Sequence, residues 1–375
     1  MIDFNTIRAM AESRHASAKL DQVIPDPLEG LSEEARDQKL KDDRRAARKA
    51  LRDAARDEAA EREWKLTLAK ADEVSSSVEE LYNSRTMKGI RNRGGSIMVQ
   101  LSDIHFGCTV EGMEERENAN TYGFDKARHR LACLAEQVLF HASAHQAEEL
   151  VVALTGDIFD SKIGKERKDK MFNSEATACQ AYLHGRDLII QFCEHLRSSE
   201  LFGSMRIVGI SGNEARLYAE RGHSHVMAAD NWDALLNADL ATRYRGSDVE
   251  TSFGVNRYVA DVQGHRVLLL HGDQGLDANL SQNKVQSLLG THNANFGISG
   301  HIHHTMVTTS WVRSASLVGT DFFAGDALGL EGKAQQNIYW LAPGQRNTYV
   351  IDLQDPDPAV EPYELFDYSG AFGSA

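Results

Sequence analysis

The chain has 375 residues, 42% of them hydrophobic, and a formal net charge of −14. These values suit a water-soluble globular protein with one large domain and an extension, or with two domains. The excess of acidic residues disfavours sequence-independent binding to nucleic acid, which requires lysine and arginine at the phosphates. The sequence has no run of 18 or more apolar residues, which excludes a membrane-spanning helix.

Features of the sequence that report on the cellular compartment favour the cytoplasm. The first fifteen residues lack a basic start followed by an apolar segment, so no secretory signal is predicted. The cysteines form no close pair and no Cys-x-x-Cys, so we interpret them as reduced thiols of a cytosolic protein. They are Cys108, Cys133, Cys179 and Cys193.

Residues 1–93 are predicted to form a highly charged, helical N-terminal extension. Pro25 and Pro27 interrupt its first part, whereas Leu31 to about Leu81 contains neither glycine nor proline and predicts a long helix. The extension has 19 basic and 19 acidic residues, so the remaining chain carries the whole charge of −14. Because no heptad repeat is sustained, a solvated helical arm is favoured, with oligomerisation or partner docking as the alternative.

Residues 94–375 are predicted to form the second domain, in which strands and helices alternate after Asn92-Arg-Gly-Gly95. Short apolar runs predict buried strands, and longer amphipathic runs predict helices. Strands that are separated by helices imply parallel β-α-β units. The first predicted elements are a strand at 96–101, a helix at 124–144, a strand at 149–155, a helix at 174–196 and a strand at 205–211.

The second half of this domain has a different pattern. A hairpin is predicted around the Gln263-Gly264 turn, because an apolar run flanks the turn on each side. The later predicted elements are hairpin strands at 256–261 and 265–271, a helix at 278–289, and strands at 295–299, 307–312, 337–341 and 348–353.

A cluster of side chains that can bind metal follows each of five predicted strands. Asp103 and His105 follow the first strand two residues apart, a spacing that points both side chains in one direction if the chain stays extended. Glycines in the later clusters let the chain turn sharply and let the backbone approach a ligand. The later clusters are Gly-Asp157, Gly-Asn213-Glu214, His271-Gly-Asp273 and Gly-His301-Ile-His303. Open α/β sheets bind ligands at the carboxyl ends of strands, so the five clusters together predict a metal site.

Other polar residues near these clusters are interpreted as structural. Asp160 and Asp273 are predicted to shape their loops, and His304 is predicted to support the neighbouring ligand. His141 and His145 have the i, i+4 spacing of one helix face, but they are predicted to be solvated.

The order of the five clusters resembles the pattern D-x-H, G-D, G-N-H-[DE], H and G-H-x-H of the calcineurin-like metallophosphoesterase superfamily. The resemblance extends from Ser96 to Val312, and on to Leu353 if the last strands are included. It implies an α/β (α+β) fold in which helices flank a two-sheet β-sandwich. It also implies two divalent metal ions, most readily Mn²⁺, with Fe, Zn²⁺ or Ni²⁺ as alternatives, because the ligands are carboxylates, an amide and imidazoles.

The resemblance also implies a role for each residue of the clusters. A hydroxide between the two metals would attack phosphorus in line, and the metals would stabilise charge on the phosphoryl oxygens. The expected catalytic residues are Asp103, Asp157, Asn213, Glu214 and His271. The expected ligands are Asp103, His105 and His303 at the first metal, Asn213, His271 and His301 at the second, and Asp157 between them.

One position departs from the family pattern. Glu214 stands where the family has a histidine near the leaving group, and His223 and His225 are candidate substitutes for that histidine. A glutamate could donate a proton only if its pKa were raised well above ~4.

The segment that starts with Gly156-Asp157 reads Gly-Asp-Ile-Phe-Asp, which resembles SbcD-type DNA exonucleases. The overall layout resembles exonuclease-like phosphoesterases that phages encode. These resemblances lead us to expect a phosphodiesterase that acts on nucleic acid or a nucleotide, in the host cytoplasm if a phage encodes it. The alternatives are a phosphomonoesterase or protein phosphatase that uses the same metals, and a non-catalytic scaffold.

Overall fold

The computed structural model describes residues 32–46, 48–53, 55, 65, 94–110, 121–160, 174–217, 228–273, 276, 280–319 and 332–372. The chain divides into two units, Met1–Ile90 and Arg91–Ala375. In the first unit, residues 33–46, 48–53, 55 and 65 are helical, and the rest of the predicted helix lies outside the described residues. Among the described helices, none is both long and apolar enough to cross a membrane.

The second unit contains two β-sheets and the helices that connect and cover their strands. The strands are β1 (Ser96–Leu101), β2 (Glu149–Leu154), β3 (Ser204–Gly209), β4 (Val249–Phe253), β5 (Arg257–Val262), β6 (His265–Leu270), β7 (Phe296–Ser299), β8 (Met306–Val307), β9 (Trp311–Arg313), β10 (Gln335–Ala342) and β11 (Gln345–Asp352). The helices are α1 (Phe124–His145), α2 (Ala178–Ser198), α3 (Trp232–Arg243), α4 (Gln282–Thr291) and the short α5 (Ser369–Phe372).

The first sheet has the strand order β11-β10-β1-β2-β3-β4, and the second has the order β5-β6-β7-β9-β8. Strands β1 to β4 run parallel, as the predicted β-α-β units require. In the register of these strands, Leu101 of β1 lies opposite Leu154 of β2, which lies opposite Gly209 of β3. The segments that follow the three strands therefore leave the sheet at the same level.

The apolar core has two principal layers, one on each face of the first sheet. Ile97, Val99 and Leu101 of β1 pack with the residues that α1 and α2 bury. Met98, from the alternate face of the same strand, packs with the inner residues of the second sheet. Because both faces of β1 are covered, all of its residues are buried. The predicted α/β fold, a two-sheet sandwich flanked by helices, is confirmed.

Helix ends are fixed by side-chain caps that the sequence contains. Thr177 caps α2 in a capping box with Gln180, and Ser281 caps α4 by accepting from the backbone N–H of Lys284. Asn231 caps α3 by accepting from the backbone N–H of Asp233. A polar residue at the N-cap satisfies a backbone donor that the first turn of a helix leaves unpaired.

Three sequence-based predictions of local structure were wrong or incomplete. The predicted strand at 307–312 is a tight hairpin of β8 and β9, because Thr308 donates from its N–H and its Oγ1 to the carbonyl of Trp311. Strand β4 was not predicted, since it is an edge strand of sequence Val-Glu-Thr-Ser-Phe in which only the two end residues are apolar. Helix α3 was also not predicted, although Asn231 is a strong N-cap signal.

The histidine pair on α1 is not solvated as predicted. The ring of His145 stacks on Trp340 with centroids 4.6 Å apart, and its Nε2 lies 2.6 Å from Tyr349 Oη. The ring of His141 stacks on Tyr349 at 4.1 Å. These rings therefore pack the C-terminal part of α1 onto the edge of the first sheet.

Candidate metal centre

The predicted ligands lie after the carboxyl ends of strands from both sheets. Asp103 and His105 follow β1, Asp157 follows β2, and Asn213 follows β3. From the second sheet, His271 follows β6, and the pair His301 and His303 follows the parallel strand β7. The structure brings these side chains together in two groups, each of which could hold a metal ion: Asp103, His105 and His303, and Asp157, His271 and His301.

The first group is compact and almost fully buried. One potential ligand atom from each of its residues lies within 4.8 Å of the others. His303 Nε2 is 3.4 Å from Asp103 Oδ1 and 3.0 Å from His105 Nε2. The other protein contacts of the Asp103 carboxylate are with the backbone N–H of His301, at 3.0 Å, and with the hydroxyl of Ser102, at 2.5 Å.

In the second group, too, one potential ligand atom from each residue lies within 4.8 Å of the others. His271 Nε2 lies 2.9 Å from Asp157 Oδ2 and 3.0 Å from Asn213 Oδ1. His301 packs edge-on against His271 with ring centroids 5.1 Å apart. Asn213 thus contacts the second group, and its role as a ligand stays a prediction. The bridging position of Asp157 stays a prediction.

The backbone at the ligands is not extended, which corrects the geometric reason for the Asp103–His105 prediction. Strand β1 ends at Leu101, and φ is 51° at Asp103 and 53° at His105. Such left-handed conformations are rare for residues with a Cβ and cluster at functional sites. The same conformation recurs at Asp157 (53°), His301 (72°) and His303 (59°). A left-handed backbone at five of the seven predicted ligands, and not strand alternation, therefore orients these side chains.

The glycines of the clusters are required because backbone segments approach very closely. A Cβ on Gly156 would lie 2.5 Å from the backbone nitrogen of Gly212. A Cβ on Gly212 would lie 2.1 Å from Asp157 Oδ1, and one on Gly300 would lie 2.1 Å from Asp103 Oδ2. No side chain fits into these contacts, so the predicted reason for the glycines, close backbone approach, applies to all three.

Hydrogen bonds on the outer side of two imidazoles orient their inner nitrogens. His271 Nδ1 donates to the carbonyl of Thr155 at 2.9 Å, which turns Nε2 toward Asp157. His105 Nδ1 faces Asp160 Oδ1 at 3.5 Å, which turns its Nε2 toward His303. An outer partner of this kind fixes the tautomer and ring orientation of a metal-binding histidine. Asp160 therefore acts on His105 besides shaping its loop.

Glu214 contacts the predicted ligand that precedes it. Asn213 Nδ2 donates to Glu214 Oε1 at 3.0 Å, which leaves Asn213 Oδ1 facing His271. The backbone N–H of Glu214 donates to Asp157 Oδ1 at 2.7 Å. Glu214 thus helps to orient two predicted ligands, Asn213 and Asp157.

Burial and the close approach of charged groups shift the pKa values of the three residues of the second group. Burial alone would lower the pKa of His271, but the charge of Asp157 raises it to about 10. Burial opposes ionisation of Asp157 as well, yet the positive charge of His271 lowers its pKa below the usual range. Burial and the neighbouring charge of His271 lower the pKa of His301. In the absence of metal, the Asp157 carboxylate and the protonated ring of His271 thus form a buried ion pair.

The chemistry of the donor set fits a divalent metal ion. Both nitrogens of His271 face acceptors, because Nδ1 lies against a carbonyl and Nε2 lies between Asp157 Oδ2 and Asn213 Oδ1. A proton or a cation must therefore stand between Nε2 and these oxygens. A divalent cation accepts all of these lone pairs together, and carboxylate, amide and imidazole ligands suit Mn²⁺, Fe or Zn²⁺.

Asp233 is a residue of the site that sequence reasoning missed. It is buried in the first turn of α3, and its carboxylate accepts backbone N–H groups from the loops after β2 and β3. Burial and the charge of Asp157 raise the pKa of Asp233 to about 7. The available signal was the pair Asn231 and Asp233 before an apolar helical segment, which marks a helix start close to the Gly212-Asn213 cluster.

The remaining candidates lie outside the two groups. His223 and His225 are outside the described residues. Asp273 Oδ2 pairs with Arg216 at 2.5 Å, in keeping with a role in shaping its loop. The carbonyl of His304 accepts from Arg313 Nε at 2.9 Å, and His304 belongs to neither ligand group.

No protein-family model and no curated protein matches the chain. Among solved structures, a predicted phosphoesterase from Streptococcus pneumoniae is 12% identical, with 70% of this chain and 94% of that chain covered and a TM-score of 0.30. Vps29 from Entamoeba histolytica complexed with Zn²⁺ is 12% identical (68% and 99% covered, TM-score 0.28). A cold-active protein-tyrosine phosphatase from a Shewanella species is 13% identical (68% and 82% covered, TM-score 0.29). Similarities at this level assign no function to the chain.

Proposed function

We propose that this protein is a dinuclear-metal-dependent phosphoesterase that hydrolyses phosphodiesters, with DNA or a nucleotide as the substrate. The observation that carries the proposal is the convergence of two ligand groups from four separate loops, Asp103, His105 and His303 in one and Asp157, His271 and His301 in the other. Paired divalent ions are the usual means of activating water and clamping a phosphoryl group.

In this proposal the protein residues hold the metal ions, orient the imidazole rings and supply negative charge to the ions. When bound, two divalent ions would lower the pKa of water and neutralise charge on the phosphoryl oxygens. Asp103 and Asp157 supply negative charge to the ions, and Asp160 and the Thr155 carbonyl fix the rings of His105 and His271. Because these contacts exist before a ligand binds, the donor atoms need little rearrangement.

The charge around the site supports a diester over a monoester. Asp160 and Glu214 add carboxylates next to the ligand carboxylates Asp103 and Asp157. A phosphomonoester carries a charge of about −1.5 to −2 at neutral pH, whereas each phosphate of a diester carries one negative charge. The surplus of carboxylates repels the dianion more strongly, which favours the diester.

The test is hydrolysis of bis-p-nitrophenyl phosphate and p-nitrophenyl phosphate after loading with Mn²⁺, followed by single- and double-stranded DNA and cyclic nucleotides. Asp103→Ala and His271→Ala are expected to abolish turnover. Asp125→Ala is the matched control, because the side chain of Asp125 is 86% exposed on α1. His129→Ala, on the same helix, is the control for the histidine.

Three results would contradict the proposal in different ways. Undiminished turnover in Asp103→Ala would refute the site assignment. Preference for the monoester would indicate a phosphomonoesterase or protein phosphatase. Absence of bound metal after Mn²⁺ loading would indicate a non-catalytic scaffold.

A further inference from the structure

Asp233 joins two loops of the candidate metal centre through one buried carboxylate. Its Oδ2 accepts from the backbone N–H of Asp157 at 2.9 Å and from that of Gly212 at 2.8 Å. Its Oδ1 accepts from the N–H groups of Ile158 at 3.2 Å and Phe159 at 3.4 Å. The side chain thus satisfies backbone donors from both the β2 loop and the β3 loop.

The two loops that Asp233 joins carry ligands of the same group. Asp157 is itself a predicted ligand, and Gly212 directly precedes the ligand Asn213. The loops touch so closely that a Cβ on Gly212 would lie 2.1 Å from Asp157 Oδ1. The relative position of the two ligands therefore depends on how this contact is held.

A second residue of the same turn fixes the position of Asp233. Asn231 Oδ1 accepts from the backbone N–H of Asp233 at 2.8 Å, and Asn231 Nδ2 donates to the carbonyl of Gly212 at 2.9 Å. The N–H of Gly212 is bound by Asp233 and its carbonyl by Asn231, so both polar groups of this glycine are held by the start of α3. The loop cannot shift without breaking both hydrogen bonds.

We propose that Asp233 is a positioning residue that sets the distance between Asp157 and Asn213, and so the affinity of the second metal position. This inference rests on the proposed function, because it assumes that these residues bind a metal. A carboxylate suits the task because it accepts on two oxygens and donates from neither. The role extends the metal centre to a helix, α3, that contributes no ligand.

The discriminating variant is Asp233→Asn, which preserves the size of the side chain. The amide keeps one acceptor oxygen but turns an NH₂ group toward backbone donors, so it cannot satisfy all four N–H groups. We expect the Kd for Mn²⁺ at the second position to rise about 10- to 100-fold, the usual effect of losing a residue that supports a metal ligand. Isothermal titration calorimetry on the metal-free full chain measures this constant and the stoichiometry.

The matched control is Asp239→Asn on the same helix. Asp239 Oδ2 accepts from Tyr182 Oη at 2.7 Å, a hydrogen bond that the side-chain oxygen of an asparagine can also accept. This variant removes the same charge from α3 and is expected to keep the wild-type Kd. If Asp233→Asn lowers the melting temperature but keeps the wild-type Kd, the residue has only a structural role and the proposal is overturned.

A measurement on the wild-type protein covers the case in which Asp233→Asn does not fold. Hydrogen exchange at the amides of Asp157 and Gly212 is expected to be slow both with and without Mn²⁺, because Asp233 holds them before metal binds. Fast exchange of these amides in the metal-free protein would overturn the proposal. A wild-type protein that binds two Mn²⁺ ions and hydrolyses no phosphoester contradicts the proposed function, while the Kd comparison still decides the role of Asp233.

Discussion

His105 Nε2 and His303 Nε2 lie 3.0 Å apart, although 198 residues separate them in the chain. The first residue follows a strand of one sheet, and the second follows a strand of the other. Their side chains belong to a ligand group that only the packed sandwich can assemble. Metal binding at this group therefore reports on the association of the two sheets.

Substitution of His303 by alanine is expected to remove one of the two metal positions. His303 is one of three side chains that define the first group, and two remaining protein ligands rarely retain a divalent ion. Measured after Mn²⁺ loading and gel filtration, the metal content is expected to fall from about two equivalents to about one.

His304→Ala is the control for this loss. His304 is the adjacent residue and lies outside both ligand groups, so its variant is expected to retain both equivalents. Two equivalents in His303→Ala with unchanged affinity would show that the first group is not a metal position.

The substitution Gly212→Ala is expected to lower the stability of the protein and its affinity for metal. The new Cβ would meet Asp157 Oδ1 at 2.1 Å and the Asp157 backbone nitrogen at 2.3 Å. Overpacking of this kind typically costs about 1–3 kcal/mol in the free energy of unfolding. Urea denaturation of the metal-free protein measures the change.

Gly290→Ala provides the reference for this substitution. A Cβ on Gly290, in α4, would meet no atom within 4 Å. Alanine is the better helix former, so this variant is expected to be neutral or to gain up to about 1 kcal/mol. Equal stability of the two variants would mean that the loops after β2 and β3 are not in close contact.

The parts of the fold that the sequence predicted are those with a strong local pattern. Strand β1 and helix α1 have the bounds Ser96–Leu101 and Phe124–His145, close to the predicted 96–101 and 124–144. Their sequence patterns are clear because each element buries apolar residues along its whole length. Strand β4 was missed because a half-exposed edge strand carries little apolar signal.

The candidate site was predictable in composition but not in geometry. The order of the clusters, through its resemblance to a family pattern, selected the predicted ligands, and the structure places six of them in two groups that could hold a metal ion. The left-handed backbone at Asp103 and His105 is imposed by tertiary contacts, such as the hydrogen bond from Asp103 N–H to the Gly156 carbonyl. The role of Asp233 could not be predicted for the same reason: the sequence marks a helix start at Asn231, but the partners of Asp233 are backbone groups that only the folded chain brings near.

Metal affinity is expected to rise with pH because His271 must lose a proton to bind a metal. The pKa of His271 is raised to about 10 in the metal-free protein, against about 6.5 for an unperturbed imidazole. Between these values the folded protein holds a proton that the metal must displace. The Kd for Mn²⁺ is therefore expected to fall up to about tenfold per pH unit between pH 6.5 and 8.5.

Calorimetry at pH 7.5 in buffers of different ionisation enthalpy checks this displacement directly. Release of about one proton per metal at the second group is expected. A binding enthalpy that is the same in every buffer would contradict it, because no proton would then be released.

Substitution of Glu214 distinguishes an orienting role from a proton-donating role. Glu214 Oε1 accepts from Asn213 Nδ2 at 3.0 Å, and the side-chain oxygen of a glutamine can accept the same hydrogen bond. If Glu214 orients Asn213, Glu214→Gln is expected to keep kcat within a few-fold of wild type, whereas Glu214→Ala is expected to lose about 10- to 100-fold.

The comparison of the two variants decides between the roles because only one of them removes the hydrogen bond. A glutamine cannot donate a carboxylic proton, so a general acid at position 214 would make both variants equally slow. In that case the alkaline limb of the wild-type pH–rate profile would also disappear in both variants. Retention of that limb in Glu214→Gln, with slow turnover only in Glu214→Ala, would show that the residue acts through the position of Asn213.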